Sequence, residues 1–167
     1  MTTKRKFTLF AIGVVLVAIQ WFGPVQTNPP IIQSHTIQSR LQIPARVADI
    51  LNRSCMDCHS YETHWPVCGQ IAPVSWWLVD NVNRGRAELN FSEWAKYRPA
   101  YVIATLGAMG EAVGVSTMPP DSYLEFHPRG KLSNDERQIF HDWAVSERHR
   151  LQVELLDTGK TQKVAVQ

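Results

Sequence analysis

The sequence predicts an all-α chain, in which an N-terminal apolar helix precedes one small helical domain. Three observations predict it. Four stretches carry apolar residues at helical spacing, each opened by a proline or a capping signal. No stretch alternates apolar and polar residues for long enough to form a strand. The chain also starts with a basic cluster and an uncharged, mostly apolar run. Of its 167 residues, the first forty or so read as extraneous to the fold, which leaves enough for one compact domain.

Lys4, Arg5 and Lys6 precede the apolar run Phe7 to Phe22. At about 1.5 Å per residue that run spans about 25 Å, short of a full bilayer core but longer than a usual signal-peptide core. No small-x-small cleavage site follows, and Trp21-Phe22-Gly23-Pro24 combines an aromatic anchor with a helix stop. Residues 1–25 are therefore expected to form an uncleaved signal-anchor, and the basic cluster keeps its start on the inner side of the membrane. The alternative is a removed signal. Residues 26–43 are polar, punctuated by Pro29 and Pro30, and predict an extended linker lifting the domain off the membrane.

The domain is expected over 44–155. Pro44 opens a first helix with Val47, Ile50 and Leu51 on one side. Pro73 opens a second, with Val74, Trp77, Leu78 and Val82 as its stripe and Gly85 weakening its last turns. After Pro99 a third carries Val102, Leu106, Met109 and Val113 and ends at Gly114. Ser133 and Glu136 form a capping box ahead of Ile139, Phe140 and Trp143 in a fourth. Residues 156–167 are polar, contain Gly159 and predict a flexible tail.

The chemistry lies in Cys55-Met56-Asp57-Cys58-His59. Two thiols three residues apart on one helical turn can each form a thioether to the same porphyrin, and the next residue can offer its imidazole to the iron; this Cys-x-x-Cys-His spacing is the signature of c-type haem attachment. Cys55 and Cys58 are the expected anchors of one haem c and His59 its proximal ligand. A thioredoxin-like dithiol would need a strand before Cys55, and none precedes it. A zinc site could add Cys68 or His64, but no second, comparably spaced pair follows. A Cys55–Cys58 disulfide would close too small a loop to stabilise much and would leave His59 unexplained.

The residue on the other face of the haem decides the function, because an open site binds gases or peroxide and a closed one transfers electrons. Met118, in Thr117-Met118-Pro119-Pro120, offers a soft, neutral sulfur on a loop stiffened by two prolines. It could instead fill the core, a role that better suits Met109 within the third stripe. His127 is a second candidate, whereas His64 stands too near His59 to reach the opposite face. His35, His141 and His149 are expected to be solvated or packed. Trp65, Trp76, Trp77 and Trp94 could wall the crevice or simply fill the core. Haem propionates need donors, for which Arg84, Arg86 or the Trp65 indole N–H are candidates, Arg86 first.

The sequence resembles the haem-binding-domain family of periplasmic monohaem c-type cytochromes, and more distantly class I cytochromes c. The resemblance runs from about Pro44 to Trp143. It rests on Cys55 to Ser60, Thr63, Trp65-Pro66, Ile71 to Trp77, Gly85-Arg86, Leu89 to Ser92, Trp94, Met118-Pro119, Tyr123, His127-Pro128, Leu132-Ser133 and Trp143. It implies a cytochrome c-like helical fold, attached haem c, His59 and Met118 as axial ligands, and no established substrate. Cys68 departs from the pattern, where an aromatic residue is expected, and is expected to be free and buried; the alternatives are a thiol-linked dimer and redox sensing.

These readings converge on a membrane-tethered electron carrier rather than an enzyme, facing the periplasm from the bacterial inner membrane, where c-type haems are attached on the outer side. Secretion to the periplasm after signal cleavage is the alternative location. A haem sensor or small peroxidase-like enzyme with a labile distal ligand is the alternative function. Redox partner proteins are implied, though the sequence names neither donor nor acceptor. With a net charge of +2 and 19% charged residues, no broad basic surface points to nucleic acid.

Overall fold

The computed structural model describes residues 3–164, with the backbone alone for 158–164. Among the described residues there are eight α-helices joined by short 3-10 turns, and no strand. The helices are α1 (Thr3–Ala18), α2 (Ile37–Arg40), α3 (Ala45–Ser54), α4 (Met56–His59), α5 (Val74–Glu88), α6 (Pro99–Gly114), α7 (Asp121–Leu124) and α8 (Asn134–Val164). The all-α class expected from the sequence is the one observed.

The helical run Thr3–Phe22 is long and apolar enough to cross a bilayer, and none of it is buried against the rest of the chain; a signal sequence would have the same length and composition. The expected linker is folded. Ile37 and Leu41, one helical turn apart, enter the core, and Thr36 is buried beside them. The polar composition of 26–43 concealed these apolar residues, which with Ile43 pack the segment against the core.

The core is assembled from α3, the start of α4, the turn Phe91–Lys96, α6 and α8. Val47, Ile50 and Leu51 of α3 meet Phe91, Trp94, Leu106, Phe140 and Ala144. α6 packs along α8, and Gly110 permits the approach, since a Cβ there would stand 3.3 Å from that of Ala144. The third stripe is buried as expected: Val102, Leu106, Met109 and Val113 all face inward. Met109 thus fills the core.

The capping box forms. The Ser133 N–H donates to Glu136 Oε2 at 2.8 Å, and the Glu136 N–H donates to Ser133 Oγ at 3.2 Å. α8 continues past Leu156, where a flexible tail was expected to begin, as far as Val164; 165–167 lie outside the described residues. The buried Trp143 indole donates to the Gln42 carbonyl at 2.8 Å, which binds α8 to the segment before α3.

α5 departs from its expected stripe. Ser75, Val79 and Val82 face inward, whereas Val74 and Trp77 are exposed. Counting apolar residues alone put the stripe about one position out of phase. The small Ser75 allows the close side of the helix to face the fold, and the larger Trp77 turns outward against Phe126, with ring centroids 6.4 Å apart.

Candidate functional site

The five-residue motif stands at a break in the helix path. α3 ends at Ser54, Cys55 takes φ −128° and ψ −38°, and α4 begins at Met56 as a separate turn. The Cys58 and His59 N–H groups both donate to the Cys55 carbonyl, at 3.2 and 3.0 Å. That turn brings Cys55, Cys58 and His59 together. Met56, only 4% exposed, pins the opposite face in the core.

Several side chains hold the turn in place. Ser60 Oγ donates to the Met56 carbonyl at 2.7 Å and accepts from the Glu62 N–H at 2.9 Å. Thr63 Oγ1 donates to the Asp57 carbonyl at 2.6 Å. Asp57 itself accepts from the His64 backbone N–H at 3.0 Å and from the Tyr123 hydroxyl at 2.9 Å. Burial, and then the Asp57 charge, push the Tyr123 hydroxyl up, so it remains a neutral donor.

His59 is oriented by backbone. Its Nδ1 lies 3.0 Å from the carbonyls of Gly85 and of Leu89, at the end of α5. Both partners are acceptors, so Nδ1 carries the proton and Nε2 keeps its lone pair. A carbonyl-bound Nδ1–H is the usual way to fix the tautomer of a metal-binding histidine and to raise its basicity. Gly85 makes this possible, because a Cβ on it would stand 2.6 Å from the Cys58 carbonyl oxygen. Phe91 supports the imidazole at 5.9 Å between centroids, with Trp94 behind it at 6.1 Å.

Cys55 and Cys58 are free thiols. Burial pushes the Cys55 thiol up to about 12, with the neighbouring Cys58 adding to the shift. Burial followed by the Asp57 charge pushes Cys58 up to about 11. Thiols held protonated in this way are poor nucleophiles, which counts against a redox-active dithiol. Among the described residues no three His, Cys, Asp or Glu side chains converge as a metal cage. The donor set fits a haem: one imidazole with a free Nε2, and two adjacent thiols able to anchor a porphyrin.

The structure distributes the other sequence-predicted residues as follows. Met118 lies just after α6, its N–H donating to the Ala112 carbonyl at 3.1 Å, with 38% of its surface exposed. His127 stacks on Tyr123, ring centroids 4.2 Å apart, and its Nδ1 lies 3.2 Å from the Tyr123 carbonyl. His64 is exposed and sits with Nδ1 3.0 Å from Asp57 Oδ1.

Arg86 is heavily engaged by protein groups. Its guanidinium donates to the carbonyls of Ser60 and Thr27, to Asn28 Oδ1 and to Thr63 Oγ1, at 2.7 to 3.0 Å. The Trp65 indole donates to the same Asn28 oxygen at 3.2 Å. Both side chains, expected to serve propionates, clamp residues 27–28 onto the loop after the motif. Trp94 is core, and the Trp76 indole donates to the Phe22 carbonyl at 2.9 Å. Cys68 is exposed rather than buried. It stands in the 3-10 turn Val67–Gln70, where Gly69 is the buried residue.

Sequence reasoning missed the Gly85 and Leu89 carbonyls, since a backbone acceptor leaves no side-chain signal. Gly85, read as a weak helix former and as part of the Gly85-Arg86 match to the family, was the available clue.

No curated protein and no solved structure matches the chain. A family model does: the Haem-binding domain matches residues 14–146, which takes in α3 to α7, the whole motif and the first turns of α8. The chain therefore belongs to the Haem-binding domain family and is a haem protein.

Proposed function

We propose that this protein is an electron carrier, a monohaem c-type cytochrome tethered to the bacterial inner membrane by α1 and facing the periplasm. Haem c is attached through Cys55 and Cys58, with His59 and Met118 as axial ligands. One observation carries the proposal: His59 Nδ1 is committed to the Gly85 and Leu89 carbonyls at 3.0 Å, which leaves Nε2 available beside two free thiols. Bound haem supplies a one-electron couple between ferrous and ferric iron. The chain's residues hold it and tune it. The carbonyl contacts fix the ring and increase its basicity, and the α5 backbone forms the wall behind it. A thioether at Met118 favours the ferrous state relative to a second imidazole.

In a second reading the distal position is labile, and the protein senses small molecules or turns over peroxide. The ferric optical spectrum separates the two. A Met-to-iron charge-transfer band that disappears in Met118→Ala is the expected result. If wild type shows no such band, or the band survives the substitution, Met118 is not the ligand. Rapid carbon monoxide binding by reduced wild type would favour the labile site.

A further inference from the structure

One group of exposed apolar residues lies where the end of α1 meets the turn before α5. Trp21, Phe22 and Val25 follow the end of α1 and are 79%, 77% and 78% exposed; Val67 and Ile71, in the turn before α5, are 80% and 57% exposed. Polar bonds join these two distant segments. Gln20 Nε2 donates to the Ala72 carbonyl at 3.2 Å, and the Ala72 N–H donates back to Gln20 Oε1 at 2.9 Å. Gln26 Nε2 donates to the Gly69 carbonyl at 2.6 Å, and the Trp76 indole N–H to the Phe22 carbonyl. Four bonds of this kind hold the junction rather than leave it free to swivel.

Both segments lack charge. No Asp, Glu, Lys or Arg occurs between Lys6 and Arg40, or between Glu62 and Asp80. Gln20, Gln26 and the Trp76 indole spend their polar groups on one another's backbone, so covering this face with apolar material leaves those groups satisfied. Aromatic residues at the end of a membrane-length helix are the composition of a headgroup interface, and contiguous exposed apolar surface marks a contact site.

We propose that the face made by 21–25 and 67–71 rests in the interfacial layer of a phospholipid bilayer, so that α1 and the haem domain meet the membrane as one rigid unit. The inference rests on the reading of α1 as a membrane anchor. Lipid is the occupant because the face is continuous with the helix that enters the bilayer and carries no charge to pair with a protein partner. The haem is then held at one height and orientation instead of on a mobile stalk.

Cys68 gives direct access to the test. It is the exposed cysteine outside the motif pair and lies within the face, so a nitroxide can be attached to it in the full-length haem-loaded protein. The protein is reconstituted in phosphatidylcholine and phosphatidylglycerol vesicles, and the label's collisions with oxygen and with a water-soluble nickel chelate are compared. Labels at Val15→Cys in α1 and Glu111→Cys on exposed α6, each in a Cys68→Ser background, mark bilayer and water. The expected result is an oxygen-to-nickel ratio at Cys68 several-fold above that at Glu111→Cys. Gln20→Ala with Gln26→Ala should return it toward the aqueous value without changing the haem spectrum. A Cys68 label as aqueous as Glu111→Cys, while Val15→Cys reports the bilayer, overturns the seat and leaves the anchor standing. Aqueous behaviour at all three positions overturns the anchor and the seat with it. A Cys68 label that stays in the interface in the double variant overturns the rigid unit.

Discussion

Gly85→Ala should destabilise the protein, although alanine is the better helix former. In an open helix the change would add about 1 kcal/mol of stability. Here the new Cβ would stand 2.6 Å from the Cys58 carbonyl oxygen, 3.1 Å from its carbonyl carbon and 3.2 Å from its Cβ. Two of those atoms are backbone in the haem motif and cannot rotate away. Restoring an ordinary contact of about 3.4 Å moves α5 from α4 by about 0.8 Å, and overpacking on that scale costs about 1–3 kcal/mol. The same movement lengthens the 3.0 Å contact from His59 Nδ1 to the Gly85 carbonyl. Against the propensity gain, the net destabilisation is up to about 2 kcal/mol, which lowers Tm by up to about 8 °C for a chain of this size. Because a weaker Nδ1 contact makes the imidazole less basic, the midpoint potential should rise. Thermal unfolding followed at the haem band and redox titration check both parts. A Gly85→Ala protein as stable as wild type, with an unchanged potential, would refute the argument that Gly85 exists to let α5 reach His59.

Arg86→Met should lower stability by about 1–3 kcal/mol, read by urea unfolding, because it releases Thr27, Asn28, Ser60 and Thr63 together. It should leave the midpoint potential of the haem unchanged; a shifted potential with stability intact would instead make Arg86 a propionate donor. The Ser133 backbone N–H, assisted by the Arg53 side chain, holds the Glu136 carboxyl below its usual range. A carboxylate depressed on folding adds stability above its unfolded value of about 4.3 and loses it as pH falls through the folded value. The Tm gap between wild type and Glu136→Gln should therefore be largest above about pH 4.3 and close below it. A gap that is flat across that range would contradict a stabilising role for the Glu136 charge.

Much of the fold was legible because three of its helices obey local rules. The α6 stripe, the Pro44 start of α3 and the Ser133–Glu136 box each involve residues within a few positions of one another, and all three formed. What failed depended on distant partners. The segment 26–43 is polar except for a few residues, and only the surrounding core shows that Ile37 and Leu41 bury completely or nearly so. Arg86 looked like a free donor until Thr27, Asn28, Ser60 and Thr63 surrounded it. At the site, the side-chain donors were legible from the spacing of Cys55, Cys58 and His59, whereas the carbonyls that orient His59 belong to a helix 26 to 30 residues away.

The central claim is that one haem is bonded to Cys55 and Cys58. Intact mass of the denatured protein, purified from cells competent for c-type haem attachment, tests it most directly. The expected result is the polypeptide mass plus one haem, retained through acid and organic solvent and absent from a Cys55→Ser, Cys58→Ser double variant. A polypeptide without haem, or an adduct that survives the loss of both thiols, would contradict it.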